Sequence, residues 1–166
     1  GERALEITND TRVEVSVVNI GVRVLSLLPA SARRRNLIKK AVALTLLSEK
    51  AKIAGDINVV FASRSRMKQL NKQFLRRSHD TDVLAFNYDQ PVPNAPFGDI
   101  FISAYQARLQ AKQLGHSVLE EALTLAIHGA LHLLGHDDDA PREKARMFRR
   151  QDLILAALRR RSANHY

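Results

Sequence analysis

The sequence predicts a single α/β (α+β) domain spanning residues 1–166, a small four-stranded mixed sheet packed with about five helices. Three observations carry that reading. Short runs rich in valine and isoleucine alternate with stretches of helical periodicity. The 166 residues, 45% hydrophobic, are enough for one core, and no Pro/Gly/Ser-rich linker divides them. Residues 117–134 repeat apolar side chains at intervals of three and four, the stripe of a helix that faces a core.

In chain order, the alternating valines of 12-RVEVSVV-18 read as a strand. Leu37, Ile38, Ala41, Leu44, Thr45 and Leu47 recur at helical spacing, which predicts a helix from Ser31, its cap, to about Leu47. A second strand is expected over 56-DINVVFAS-63. A short helix over 63–74 should follow, capped by Ser63, with Met67, Leu70 and Phe74 on one face. Strands at 82-DVLAF-86 and 99-DIFIS-103 flank the Pro/Asn-rich connection 87-NYDQPVPNAPFG-98. Residues 104–114 read as a helix ended by Gly115. Ser117 and Glu120 form a capping-box pair at the head of the next helix, and Gly135 stops it. A last helix is expected from Pro141 to about Arg160, with Asp139 as its cap and Met147, Ile154, Leu155 and Leu158 facing inward.

Composition narrows the function classes. Without cysteine, neither disulfides nor thiolate metal sites are available, which fits a reducing cytoplasm. GERALEITND lacks a basic-then-apolar leader pattern, and no run reaches roughly 18 uninterrupted apolar residues, so a soluble protein is expected and a membrane partner is not. A net charge of +9 favours a polyanionic partner. Arginines cluster at 33–35, 64 and 66, 76–77, 149–150 and 159–161, although most of these groups also suit a solvated helix face.

The chemistry concentrates in 128-HGALHLLGHDDD-139. His128 and His132 stand four apart, so on a helix they project from one face a turn apart, as the two imidazoles of a zincin metal helix do. The chain must turn before it can supply a third ligand, and Gly135 provides the turn. Three residues after that glycine, in the register of the metzincin third ligand, stands Asp138. Two histidines and a carboxylate are an established zinc-binding set. His136 is the rival third ligand, and other divalent transition metals suit the same donors. Gly129 occupies the position where peptidases of this type carry their glutamate base, so peptide hydrolysis is disfavoured.

These segments resemble the YbeY-type endoribonucleases of bacterial rRNA processing and ribosome quality control. The likeness rests on 70-LNKQFLRRSHDTDVLAF-86, similar to a segment around T-D-V-L-S-F, and on 98-GDIFIS-103, similar to a G-D-I strand. The third piece is 121-EALTLAIHGALHLLGHDDD-139, similar to H-G-x-L-H-L-x-G-Y-D-H. Met147 and Gln151 also fall where the family tends to place such residues, and the match runs from about residue 56 to 158. The resemblance implies cleavage of single-stranded RNA, rRNA above all, with Zn²⁺ or a similar divalent ion as cofactor. It further implies association with the ribosome or its small subunit, with no role for DNA.

Carried over position by position, His128 and His132 match the first two metal ligands. The family's final histidine falls on Asp138 and its tyrosine on His136. A carboxylate cancels one unit of an ion's charge, so the ion becomes a weaker Lewis acid than a three-histidine site would hold. Leu75 stands where many members have arginine, which shifts the expected phosphate-contacting and catalytic role to Arg76, with Arg77 beside it in RNA binding. Asp80 replaces a usual proline. The competing reading is a non-catalytic RNA- or ribosome-binding module whose metal is structural or lost.

Overall fold

The computed structural model describes residues 18–52, 55–76, 79–88 and 97–163. Four strands form one sheet: β1 (Val18–Arg23), β2 (Gly55–Ala62), β3 (Val83–Asn87) and β4 (Gly98–Ser103), in the order β1-β2-β4-β3. The β1/β2 and β2/β4 pairs are parallel and the β3 edge is antiparallel. Five helices accompany them: α1 (Arg35–Ser48), α2 (Arg64–Leu75), α3 (Ala104–Leu114), α4 (Val118–Leu133) and α5 (Pro141–Ala163).

Side-chain alternation divides the helices between the two sheet faces. Ile57, Val59, Phe61, Ile100, Ile102 and Val83 point to one side and share the main core with α1, α4 and α5. Ala62 and Leu84 point to the other, where Met67 and Leu70 of α2 join them. Helix α4 lies close against the sheet because its inner stripe is small: Ala122, Ala126, Gly129 and Ala130 are all buried. A β-carbon on Gly129 would fall 2.4 Å from a methyl of Ile100 and 3.0 Å from one of Val83. The glycine therefore faces the sheet.

Several boundaries differ from the sequence-based expectation. The first strand runs from Val18 to Arg23, burying Ile20 and Val22, while residues 12–17 of the expected 12–18 strand lie outside the described residues. Ser31 does not cap α1. Two short 3-10 turns, Leu25–Leu27 and Ala30–Ala32, come first, and α1 starts at Arg35 with no side-chain cap. Burial explains the change: Leu28 and Ala32 are wholly enclosed, and Arg33 Nε donates to the Leu28 carbonyl at 2.8 Å. Asp139 is not the cap of α5 either. Proline suits the first helical position, so Pro141 leaves the cap to Ala140, whose carbonyl accepts from Lys144 N at 2.9 Å.

Other terminus signals hold. Ser63 accepts from the Arg66 amide at the head of α2, Ser117 from Glu120 at the head of α4, and Gly115 ends α3. The reciprocal half of the capping box is diverted, since the Glu120 carboxylate pairs with His116, at 3.3 Å, and with Arg159 of α5. Phe74 is exposed and meets Phe86 edge-to-face at 5.3 Å.

Candidate metal centre

Helix α4 ends in a way that builds the site. Gly135 adopts φ 95°, a left-handed conformation that is costly for residues with a β-carbon. Its amide donates to the His132 carbonyl at 2.9 Å, and the His136 amide donates to Leu131 at 3.0 Å. These two bonds are a Schellman cap. The cap bends the chain back over the last helical turn, so the His136 carbonyl lies 2.9 Å from His132 Nδ1. On the preceding turn, His128 Nδ1 lies 2.8 Å from Gln151 Oε1 of α5.

Both Nδ1 atoms face acceptor oxygens, so each carries its ring's proton, and in the neutral rings each Nε2 presents a lone pair. Those lone pairs converge. His128 Nε2 and His132 Nε2 stand 3.0 Å apart, and each is 3.5 Å from Asp138 Oδ2. Donors around a tetrahedral ion with bonds of about 2.0–2.1 Å lie roughly 3.3–3.4 Å from one another. The three residues therefore fit a metal ion of that kind, and they form a group that could hold one.

A proton is a poor substitute for the ion at His128. Burial pushes the pKa of this ring below the usual histidine value, and His132 pushes it further down; the Gln151 bond, Asp82 and Asp138 oppose the shift. The consequence for stability has a definite sign. As pH falls through about 6.5, the unfolded chain takes up a proton that native His128 resists, so the unfolded state gains. Thermal melts of the metal-free protein should show stability lost as pH falls from 7.5 to 5.5, with a shallower loss in His128→Asn. Equal slopes for the two proteins would contradict this source of the effect.

The other described candidates lie apart from the triangle. The His136 ring turns away, with Nε2 2.8 Å from Glu49 Oε1 at the end of α1. Arg76 ends α2 with φ 53°, exposed, on the helix that covers the opposite sheet face, and has no part in the ligand group's hydrogen bonds. Arg77 lies outside the described residues. Leu75 is exposed, and Asp80 accepts from Arg64 Nε at 2.7 Å, tying the loop after α2 to that helix's first turn. Sequence reasoning missed Glu49, which contacts the site only through the fold. It also assigned no contact to Gln151, although a glutamine in the buried stripe of Met147, Ile154 and Leu158 signals an interior polar partner.

Fold and site together define a small α/β domain with a metal-competent His-His-Asp group at the end of its central helix. A family model described as Endoribonuclease YbeY matches residues 27–159, reaching further towards the N-terminus than the stretch bearing the motifs. Curated relatives named Endoribonuclease YbeY include one from Elusimicrobium minutum, 39% identical over 122 residues, covering 72% of this chain and 85% of the relative. Another, from Carboxydothermus hydrogenoformans, is 37% identical over 123 residues, covering 74% and 85%. The chain belongs to the YbeY endoribonuclease family. The solution structure of TM1509 from Thermotoga maritima shares the fold, with a TM-score of 0.56 over 90% of this chain and 93% of the other, at 22% identity.

Proposed function

We propose that this protein is a metal-dependent endoribonuclease that cleaves single-stranded RNA, with one Zn²⁺ held by His128, His132 and Asp138. Within that reading it acts in rRNA maturation and ribosome quality control, in the cytoplasm, on RNA of the ribosome or its small subunit. One observation carries the metal assignment: three lone pairs converge at tetrahedral spacing, on side chains still 13%, 25% and 35% exposed. A structural zinc is enclosed by four protein ligands, whereas three ligands with an open side suit a catalytic ion. When bound, the ion would supply a Lewis acid and a water of lowered pKa.

The chain's own groups do the rest. Gln151 and the His136 carbonyl hold the two Nδ1 protons and keep both imidazoles aimed at one point. Asp138 contributes a negative charge that draws a cation and tempers its acidity. Exposed Arg76, with Arg77, would meet backbone phosphate, and the +9 charge would attract RNA without regard to sequence. Peptidase chemistry is disfavoured, since position 129, where such enzymes keep their base, faces Ile100 and Val83.

A labelled single-stranded RNA tests the reading. Cleavage should stop after chelation and return with one equivalent of Zn²⁺, and Arg76→Gly should weaken binding while leaving metal content intact. Equal cleavage with and without chelator would defeat the proposal.

A further inference from the structure

The turn that carries the third ligand is gripped from outside the ligand group. Glu49 closes α1, its backbone amide bonded to the carbonyls of Thr45 and Leu47, and its side chain is only 10% exposed. One carboxylate oxygen stands 2.8 Å from His136 Nε2, and the other 3.6 Å from an Arg150 guanidinium nitrogen on α5. The residue that Glu49 holds by its ring is the one whose carbonyl meets His132 Nδ1. A continuous chain of contacts therefore runs from α1, through His136, to a ligand imidazole, and Asp138 follows two residues later.

We infer that Glu49 is a positioning residue for the ligand group. Its grip on the His136 ring fixes the carbonyl that orients His132 and steadies the segment leading to Asp138. The inference rests on the reading of His128, His132 and Asp138 as metal ligands. Several features suit Glu49 to this task. The carboxylate is largely buried, and its Oε1 has the His136 ring as an ion-pair contact but no hydrogen-bond partner, so losing that contact is costly. It is mounted on α1, a helix anchored in the core by Ile38, Ala41, Val42 and Leu46. Arg150 of α5 stands against the other oxygen of the same carboxylate, so Glu49 links α1 and α5 to the turn. The contact also keeps His136 Nε2 beside Glu49 and apart from the triangle, where Asp138 supplies the third donor.

Partners that orient a metal-bound histidine typically contribute about 10–100-fold in metal affinity. The test titrates the chelator-stripped full chain with Zn²⁺ against a chromophoric chelator. Glu49→Leu and His136→Ala are each expected to weaken zinc binding by about 10–100-fold. The double variant should be no worse than the weaker single, because both changes break one contact. Glu49→Gln, which keeps an acceptor oxygen, should recover most of the affinity. Melting of the metal-free proteins separates this effect from damage to the fold. His136→Ala changes a quarter-exposed ring and leaves the backbone carbonyl, so it carries the test even if Glu49→Leu fails to fold. Wild-type affinity in His136→Ala, or losses that multiply in the double variant, would overturn the inference. Failure of the wild-type protein itself to bind zinc would overturn the ligand reading first.

Discussion

Replacing His128 with alanine is expected to remove the bound metal and lower RNA cleavage by about 10³-fold or more. Lewis-acid stabilisation by a bound ion is worth several kcal/mol, and each 1.36 kcal/mol is a factor of ten in rate. The substitution also leaves Gln151 Oε1 without its imidazole partner, inside a helix packing whose glutamine is 5% exposed. Two measurements check the result on one preparation: metal content by elemental analysis, and the single-turnover rate on a single-stranded RNA. Full metal occupancy in the variant, or a rate within tenfold of wild type, would remove His128 from the centre of the chemistry. His132→Ala is expected to behave alike, since both Nε2 atoms belong to the same triangle.

The largest loss of stability is expected from Gly98→Ala. Gly98 opens β4 opposite Asn87 of β3, and a β-carbon there would fall 1.9 Å from the Phe86 carbonyl oxygen. That obstacle is backbone, so no change of rotamer relieves it, and the β3 edge must move. Overpacking typically costs 1–3 kcal/mol, and a backbone clash belongs at the top of that range, about 3 kcal/mol. For a chain of this length the melting temperature should drop by roughly 6–12 °C. The damage should also reach the site, because Asn87 Nδ2 donates to the Leu133 carbonyl at 2.9 Å and ties the end of α4 to β3. Melting of the metal-free variant within about 2 °C of wild type would show that the strand accommodates the methyl group. This packing accounts for the glycine of the G-D-I strand.

Much of the fold was legible because its signals are local. The α4 stripe, Ser117 and Gly135 lie within one helix and its ends, and the Ser63 cap and the β2 valines are equally self-contained. The misses came where distant contacts outweighed a local preference. Ser31 is a good cap by type, but enclosing Leu28 and Ala32 required two 3-10 turns, and α1 begins after them. Strand β1 continues past Asn19 through Gly21, which pairs with Asn58 of β2, whose side-chain oxygen would sit 2.6 Å from any β-carbon there. The sheet order was beyond reach, since β4 enters between β2 and β3 through a parallel pairing with β2 that is remote in sequence.

The site divides along the same line. His128 and His132 are separated by one helical turn, so their spacing in sequence already describes their spacing in space. Asp138 was chosen by register over His136, and the Schellman cap brings the Asp138 carboxylate to both Nε2 atoms. Glu49 had no counterpart signal, because its approach to His136 depends on how α1 packs against α4. Arginine clusters marked charge without marking place, and Arg76 follows α2, the helix whose Met67 and Leu70 pack on the other sheet face from α4.

X-ray absorption at the metal edge of the zinc-loaded protein tests the ligand triangle most directly. The expected spectrum contains two imidazoles and oxygen donors at about 2.0–2.1 Å, with the carboxylate contribution lost in Asp138→Ala. A spectrum of three imidazoles, or one unchanged by Asp138→Ala, would contradict a centre built from His128, His132 and Asp138.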